Sequence, residues 1–300
     1  MTLHRYDVIY RTRIHYDDVV RTSQNELRAC PASDEHQQLV AYRVVTHPTS
    51  RVLSYQDYFG TRVDAFGIRE PHVALEVTAE ASVETLPRPL VAVSPRLRDL
   101  EEAGFRDEQI EYLGPSEHTA WDGDVRAAGE RLANITGDDV VGIVLGIHRF
   151  VHTSLRYMPG VTYIGVDVNE VLAKGQGVCQ DYAHLAIALC RSVGIPARYV
   201  SGYFFAASEA TGAEVEGDEV TVQTHAWFEA AIPGWGWMAL DPTNALQVGQ
   251  RHITIGHGRD YDDVPPVRGI YTGGGRPNTD ASVEIRRQSA VVQQLQAQQQ

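Results

Sequence analysis

Cysteine is scarce in this chain: Cys30, Cys179 and Cys190 are its three thiols, too few for the disulfide framework of a small secreted domain. If Cys179 and Cys190 share a helix, their eleven-residue separation puts them roughly 16 Å apart along its axis, far outside disulfide range. Positive charge is also short, with 26 Lys and Arg against 39 Asp and Glu and a net charge of −13. A field of that sign repels polyanions, which argues against nucleic acid as a partner. Long apolar runs are missing too. No segment approaches the ~18 uninterrupted apolar residues of a membrane span, and Met1 to Asp7 hold no apolar stretch of signal-peptide length. The expectation is a cytoplasmic protein without membrane contact. What is present is ordinary globular material, 43% hydrophobic over 300 residues, enough for one large domain or two of average size.

The first hundred residues carry the period of strands. Tyr6, Val8, Tyr10, Thr12, Ile14 and Tyr16 alternate with Asp7, Ile9, Arg11, Arg13 and His15, and Leu75 to Val83 alternate in the same way. Residues 52–66 between them suggest a hairpin turning near Gly60. Past Pro87-Arg88-Pro89 the spacing becomes helical, with one helix expected over Asp122 to Ile135. A second, capped by Asp138-Asp139, carries Val140, Ile143, Val144, Ile147 and Val151 on one face. His148 and His152 stand four apart on that second helix, a metal-ligand spacing, but no glutamate adjoins the first and no third ligand is apparent, so a histidine-bearing helix surface is the expectation. Strands are expected over Arg198 to Phe205 and over Val220 to Ala230. Between them an acidic loop, Glu209 to Glu219, matches no calcium loop. A last strand near Val283 to Arg286 leads into a Gln-rich tail whose composition reads as disordered.

The chemistry concentrates in Gly175-Gln176-Gly177-Val178-Cys179-Gln180-Asp181-Tyr182. A cysteine between a glycine-rich turn and the start of an apolar helix sits where the positive end of the helix dipole favours thiolate, the reactive form. Gly194-Ile195-Pro196 stops that helix, and Cys190 near its end belongs to the apolar face. Downstream, His225 supplies a candidate base and Asp241 a candidate orienting carboxylate. If the turn at Ile232 to Gly236 folds the chain back so that Ala231 faces Trp237, then Trp227 faces Asp241, and His225 is its diagonal neighbour on the same face. A register shifted by one residue would separate them. Trp227, Trp235 and Trp237 stand close enough to line a groove there, although aromatics beside a hairpin are more often core.

Four ordered stretches carry a resemblance: 177–184, 194–203, His225-Ala226-Trp227-Phe228-Glu229 and Gly236 to Asn244. In these residues the chain resembles the bacterial transglutaminase-like superfamily, whose core belongs to the wider papain-like cysteine fold. Residues Tyr10 to Pro31 also look like the β-rich region that accompanies this core. The resemblance implies an α+β fold, with a β-rich module over 1–115, a catalytic core with a central Cys-bearing helix on an antiparallel sheet over 116–272, and a last strand and tail over 273–300. It implies Cys179 as nucleophile, His225 as general base and acid, Asp241 as the residue orienting the imidazole, and no metal or cofactor. Oxyanion stabilisation would come from the Cys179 N–H and one side-chain donor. Gln176 is the candidate, at a spacing that differs from the upstream glutamine of papain-like enzymes. The implied reaction is that of a cysteine-type amide hydrolase or peptidase working through a thioester on a protein or peptide substrate. Glutamine–amine crosslinking is the first alternative and a noncatalytic binding scaffold the second. The calcium dependence and extra β domains of animal transglutaminases have no counterpart in these residues.

Overall fold

The structure is a computed structural model that describes residues 3–160, 166–206 and 219–288. The acidic loop and the Gln-rich tail fall at 207–218 and 289–300, outside the described residues; only Glu219 of that loop is described. The N-terminal alternation becomes one long strand, β1 (His4–Leu27), with Tyr6, Val8, Tyr10, Thr12 and Ile14 turned inward and Arg11, Arg13 and His15 outward. It is joined by β2 (Gln37–His47), β3 (Leu53–Gln56), β4 (Arg62–Ile68) and β5 (His72–Thr85). Gly60, at φ 80°, turns the expected hairpin between β3 and β4. Because β1 breaks register near Asp17 to Val20, its first half pairs with β5 while Ser23 to Leu27 pair with β4.

The helical region follows as α1 (Ala103–Glu108), α2 (Gly123–Thr136), α3 (Val140–Ser154), β6 (Arg156–Tyr157), α4 (Val168–Lys174), β7 (Gln176–Gly177) and α5 (Cys179–Ser192). The Asp122 carboxylate caps α2 by accepting from the N–H groups of Asp124 and Val125. Helix α5 stops at Val193, with Gly194 at φ 80°. Nearly every residue of α5 from Asp181 to Arg191 is buried, because the helix packs against β8 (Ala197–Phe204) and β10 (His225–Ile232) on one side and α2, α3 and α4 on the others. A five-stranded antiparallel sheet in the order β12 (Leu246–Gln247), β11 (Gly236–Asp241), β10, β8, β13 (His252–Gly258) completes this lobe. No helix among the described residues is long and apolar enough to cross a membrane.

Residues 220–230 do not form the single strand that their alternation suggests. Val220 and Val222 lie in β9 (Glu219–Val222), which pairs with β15 (Pro277–Arg287) in the N-terminal sheet, and after Gln223 and Thr224 the chain enters the other sheet at His225. Strands β14 (Val267–Gly273) and β15 both pair with β1. The large sheet, eight-stranded among the described residues, therefore takes three of its strands from beyond residue 218. Its core also crosses between lobes: Tyr203 and Phe205, from β8 and just past it, and Ile253 and Ile255 of β13 pack with Tyr6, Tyr10, Leu75 and Val283. Tyr10 and Tyr203 stack with ring centroids 6.3 Å apart across that junction.

Candidate active site

The approach to Cys179 is set by local geometry. Gly175, in the left-handed conformation at φ 63°, closes α4, and the two-residue strand β7 pairs in parallel with β6, Gln176 opposite Arg156. Val178 is extended at φ −110°, and its N–H donates to the Asp181 carboxylate at 2.7 Å. That buried acid in the first turn complements the helix dipole. Cys179 is then the first residue of α5, half-buried, its N–H facing no earlier helical carbonyl. The other thiols are walled off: burial pushes both Cys30 and Cys190 up to about 12.

The return of β10 into β11 has the expected register, with Ala231 opposite Trp237 and Phe228 opposite Leu240. His225 opens β10 and Asp241 closes β11, and His225 Nε2 stands 2.8 Å from Asp241 Oδ2. Across β10, His225 faces Gly202. A Cβ on Gly202 would lie 2.3 Å from the Ile253 carbonyl and 2.4 Å from the Trp227 ring, so only glycine leaves room for the indole, whose centroid is 6.2 Å from that of the His225 ring. Burial works against a charged imidazole at 225, but hydrogen bonds with Asp241 and Cys179 and the charges on both outweigh it and push His225 up to about 10. Since Nε2 is taken by Asp241, Nδ1 is the nitrogen left for the thiol.

Asp241 is fully buried and heavily supported. Its Oδ2 accepts from His225, from Asn244 Nδ2 at 2.7 Å and from His252 Nε2 at 3.2 Å. Its Oδ1 accepts from the N–H groups of Thr243 at 3.0 Å and Asn244 at 3.2 Å. Burial alone would raise this carboxyl, yet the two histidines hold it far below the usual carboxylate range. The strand end is also fastened from below. His148 Nε2 donates to the Asp241 carbonyl at 3.0 Å and His152 Nδ1 to the Pro242 carbonyl at 2.9 Å. This corrects the expected histidine-bearing helix surface: His148 is buried, and the four-residue spacing serves two consecutive carbonyls.

Donor atoms of His225, Asp241 and His252 lie within 4.8 Å of one another, as do those of His118, Asp260 and Asp262. Hydrogen bonding already accounts for the buried carboxylates of both sets, Asp260 accepting from the N–H groups of His118 and Asp262. The tryptophans fall elsewhere. Trp227 is core, while Trp235 and Trp237 border a separate cavity of about 620 Å³ at the other end of β10, beside Arg198 and the buried Glu229. Of the residues singled out in the sequence, Cys179, His225 and Asp241 converge, and Gln176 lies three positions before the cysteine in β7. Sequence reasoning passed over His252 and gave Asn244 no role. Asn244 had a signal, since a short amide three residues after Asp241 in Asp-Pro-Thr-Asn suits a turn, whereas His252 reaches the site only through tertiary folding.

Two family models match the chain: the transglutaminase-like superfamily over residues 130–242 and the bacterial transglutaminase-like N-terminal region over 6–84. An uncharacterized protein of Mycobacterium leprae is 37% identical over 283 residues, spanning 94% of this chain and 99% of the relative. The chain belongs to the transglutaminase-like superfamily. An uncharacterized protein of Mycobacterium tuberculosis is 34% identical over 297 residues, 94% of this chain and 92% of its own length. A protein-glutamine gamma-glutamyltransferase of Pseudomonas aeruginosa is 30% identical over 139 residues, 44% of this chain but 19% of that enzyme. Among solved structures, a "Putative Cysteine Protease" from Cytophaga hutchinsonii shares the fold, with a TM-score of 0.74 at 21% identity over 97% of this chain and 92% of that one.

Proposed function

We propose that this protein is a cysteine-type amide hydrolase or peptidase that works through a thioester on Cys179. The observation that carries the reading is the pairing of His225 with Asp241 at 2.8 Å beside a cysteine at a helix N-terminus. The Cys179 thiolate attacks the amide carbon, a C–S bond forms, and the developing oxyanion is held by the Cys179 N–H with Gln176 as the side-chain donor. His225 passes its Nδ1 proton to the leaving nitrogen, the C–N bond breaks and an amine departs. Water then gives a proton to His225 and its oxygen to the acyl carbon, the C–S bond breaks, and the acid leaves. Asp241 keeps the imidazole in one tautomer and accepts from it throughout. The substrate is a peptide or a glutamine carboxamide.

Amine transfer is the second reading, favoured by the likeness to the Pseudomonas aeruginosa enzyme over 139 residues. The test offers a glutamine-donor peptide with and without a primary amine, using native protein and Cys179→Ala. Ammonia release without incorporation is the expected result. Incorporation of the amine would replace hydrolysis by crosslinking, and no turnover of glutamine or peptide amides would leave the binding scaffold.

A further inference from the structure

His252 opens β13 opposite Phe204 of β8, and its ring is built into the site. The His252 N–H donates to the Gly249 carbonyl at 3.0 Å, and the Gly249 N–H donates back to His252 Nδ1 at 3.3 Å. An Nδ1 that accepts a hydrogen bond carries no proton, so the turn fixes the ring as the Nε2–H tautomer, and that N–H points at Asp241 Oδ2. The ring packs against Phe204 at 4.6 Å between centroids, tilted by 39°, and edge-on against Trp227 at 5.3 Å. One carboxylate oxygen thus serves two imidazoles, with Asn244 as a third donor.

We infer that His252 is a positioning residue of the proposed reaction: by sharing Asp241 Oδ2 with His225 it keeps the carboxylate aimed and limits how tightly that carboxylate holds the catalytic imidazolium. The inference rests on the acyl-transfer reading. Its physical basis is that an acceptor oxygen divided among three donors binds each less strongly than one serving a single donor. A proton on His225 must leave for the departing amine, and an undivided Asp241 would retain it. The two histidines are kept apart in charge by their surroundings. His225 faces the Cys179 sulfur of α5 and Asp241 of β11. Among the described residues His252 faces Asp241 and the charged His225, with the Phe204 and Trp227 rings from β8 and β10. Its chain neighbour Arg251 lies over Phe204 at 5.0 Å. Burial, the His225 charge and Arg251 lower His252 against the pull of Asp241, so it stays neutral where His225 is charged.

The test uses the full chain and ring nitrogen NMR of His225 and His252 across pH, in native protein, His252→Phe and His252→Gln. In the native protein His252 is expected as neutral Nε2–H above pH 6.5, the ordinary imidazole value from which it is lowered. In His252→Phe the His225 titration should move up by roughly half to one unit, the scale of one lost hydrogen bond, and kcat on an amide substrate should fall about tenfold with KM little changed. The donor amide of His252→Gln should bring both back toward native values. A native His252 that is charged or protonated at Nδ1 overturns the inference without any variant. So does a His225 titration that stays put in a folded His252→Phe, or kcat that falls equally in Phe and Gln. Failure of the acyl-transfer reading looks different: Cys179→Ala would leave amide turnover intact, while the His225 titration still decides the role of His252.

Discussion

At the scale of single residues, the charge pattern around His225 ties stability to pH. His225 is raised from 6.5 to about 10 on folding, so its contribution is fully present below about pH 6.5 and is lost as pH climbs toward 10. Asp241 runs the other way: its carboxyl is depressed, so it stabilises above the ordinary value of 3.8 and loses that contribution in acid. The melting temperature of native protein minus that of His225→Ala should therefore shrink between pH 6.5 and 10. A gap that widens over that range would mean that the imidazole is buried neutral. Cys179, His225 and Asp241 were legible in the sequence because each announces itself locally: a thiol at a helix start, and a base and an acid on one face of a hairpin whose register the turn implies. His252 lacks any such local mark. Its contact with Asp241 depends on β13 docking beyond β8, with β10 and β8 between it and β11.

Among the elements, β8 and β10 show how closely the site depends on packing. Gly202 gives the Trp227 indole its room, and Gly202→Ala should cost about 1–3 kcal/mol by overpacking, read from urea midpoints at unchanged m value. Because the displaced indole is a neighbour of the His225 ring, the same substitution should slow alkylation of Cys179 as well. Helices were the easier elements to read: Asp122 caps α2, Gly194 follows the end of α5 and apolar stripes mark α2, α3 and α5, although Asp139, expected to cap α3, makes no side-chain cap there. Strand assignment was harder. The alternation over 220–230 is real, but alternation records inside and outside and not which sheet provides the inside. The crossing at Gln223-Thr224 is invisible to it. The histidines of α3 were misjudged for a related reason, since their partners are backbone carbonyls, which leave no trace in a pattern of side chains.

For the whole molecule, the division drawn from sequence at 115 and 272 meets a structure in which sheet and core cross between the lobes. Strands β9, β14 and β15 belong to the sheet of β1, and Tyr203, Ile253 and Ile255 pack into its core. A chain ending at residue 266 should lose the partners of β1 along most of one edge, together with the buried Val283 and Ile285. We expect it to lose near-ultraviolet circular dichroism and cooperative unfolding even though every residue of the proposed triad is retained. A truncated chain that melts as sharply as the full one would show that the lobes are separable.

The pairing of β1 with β15 also has a meaning in time. β1 leaves the ribosome ahead of its partner, Pro277 to Arg287 following some 250 residues later, so at 5–20 residues per second one side of β1 stays unpaired with β15 for roughly 12–50 s. During that interval the nascent chain carries a long open strand edge, the kind of surface on which chains cross-pair. Strand β9, which leads straight into His225, docks on β15 as well. The strand that leads into His225 therefore gains this support only once β15 has been made.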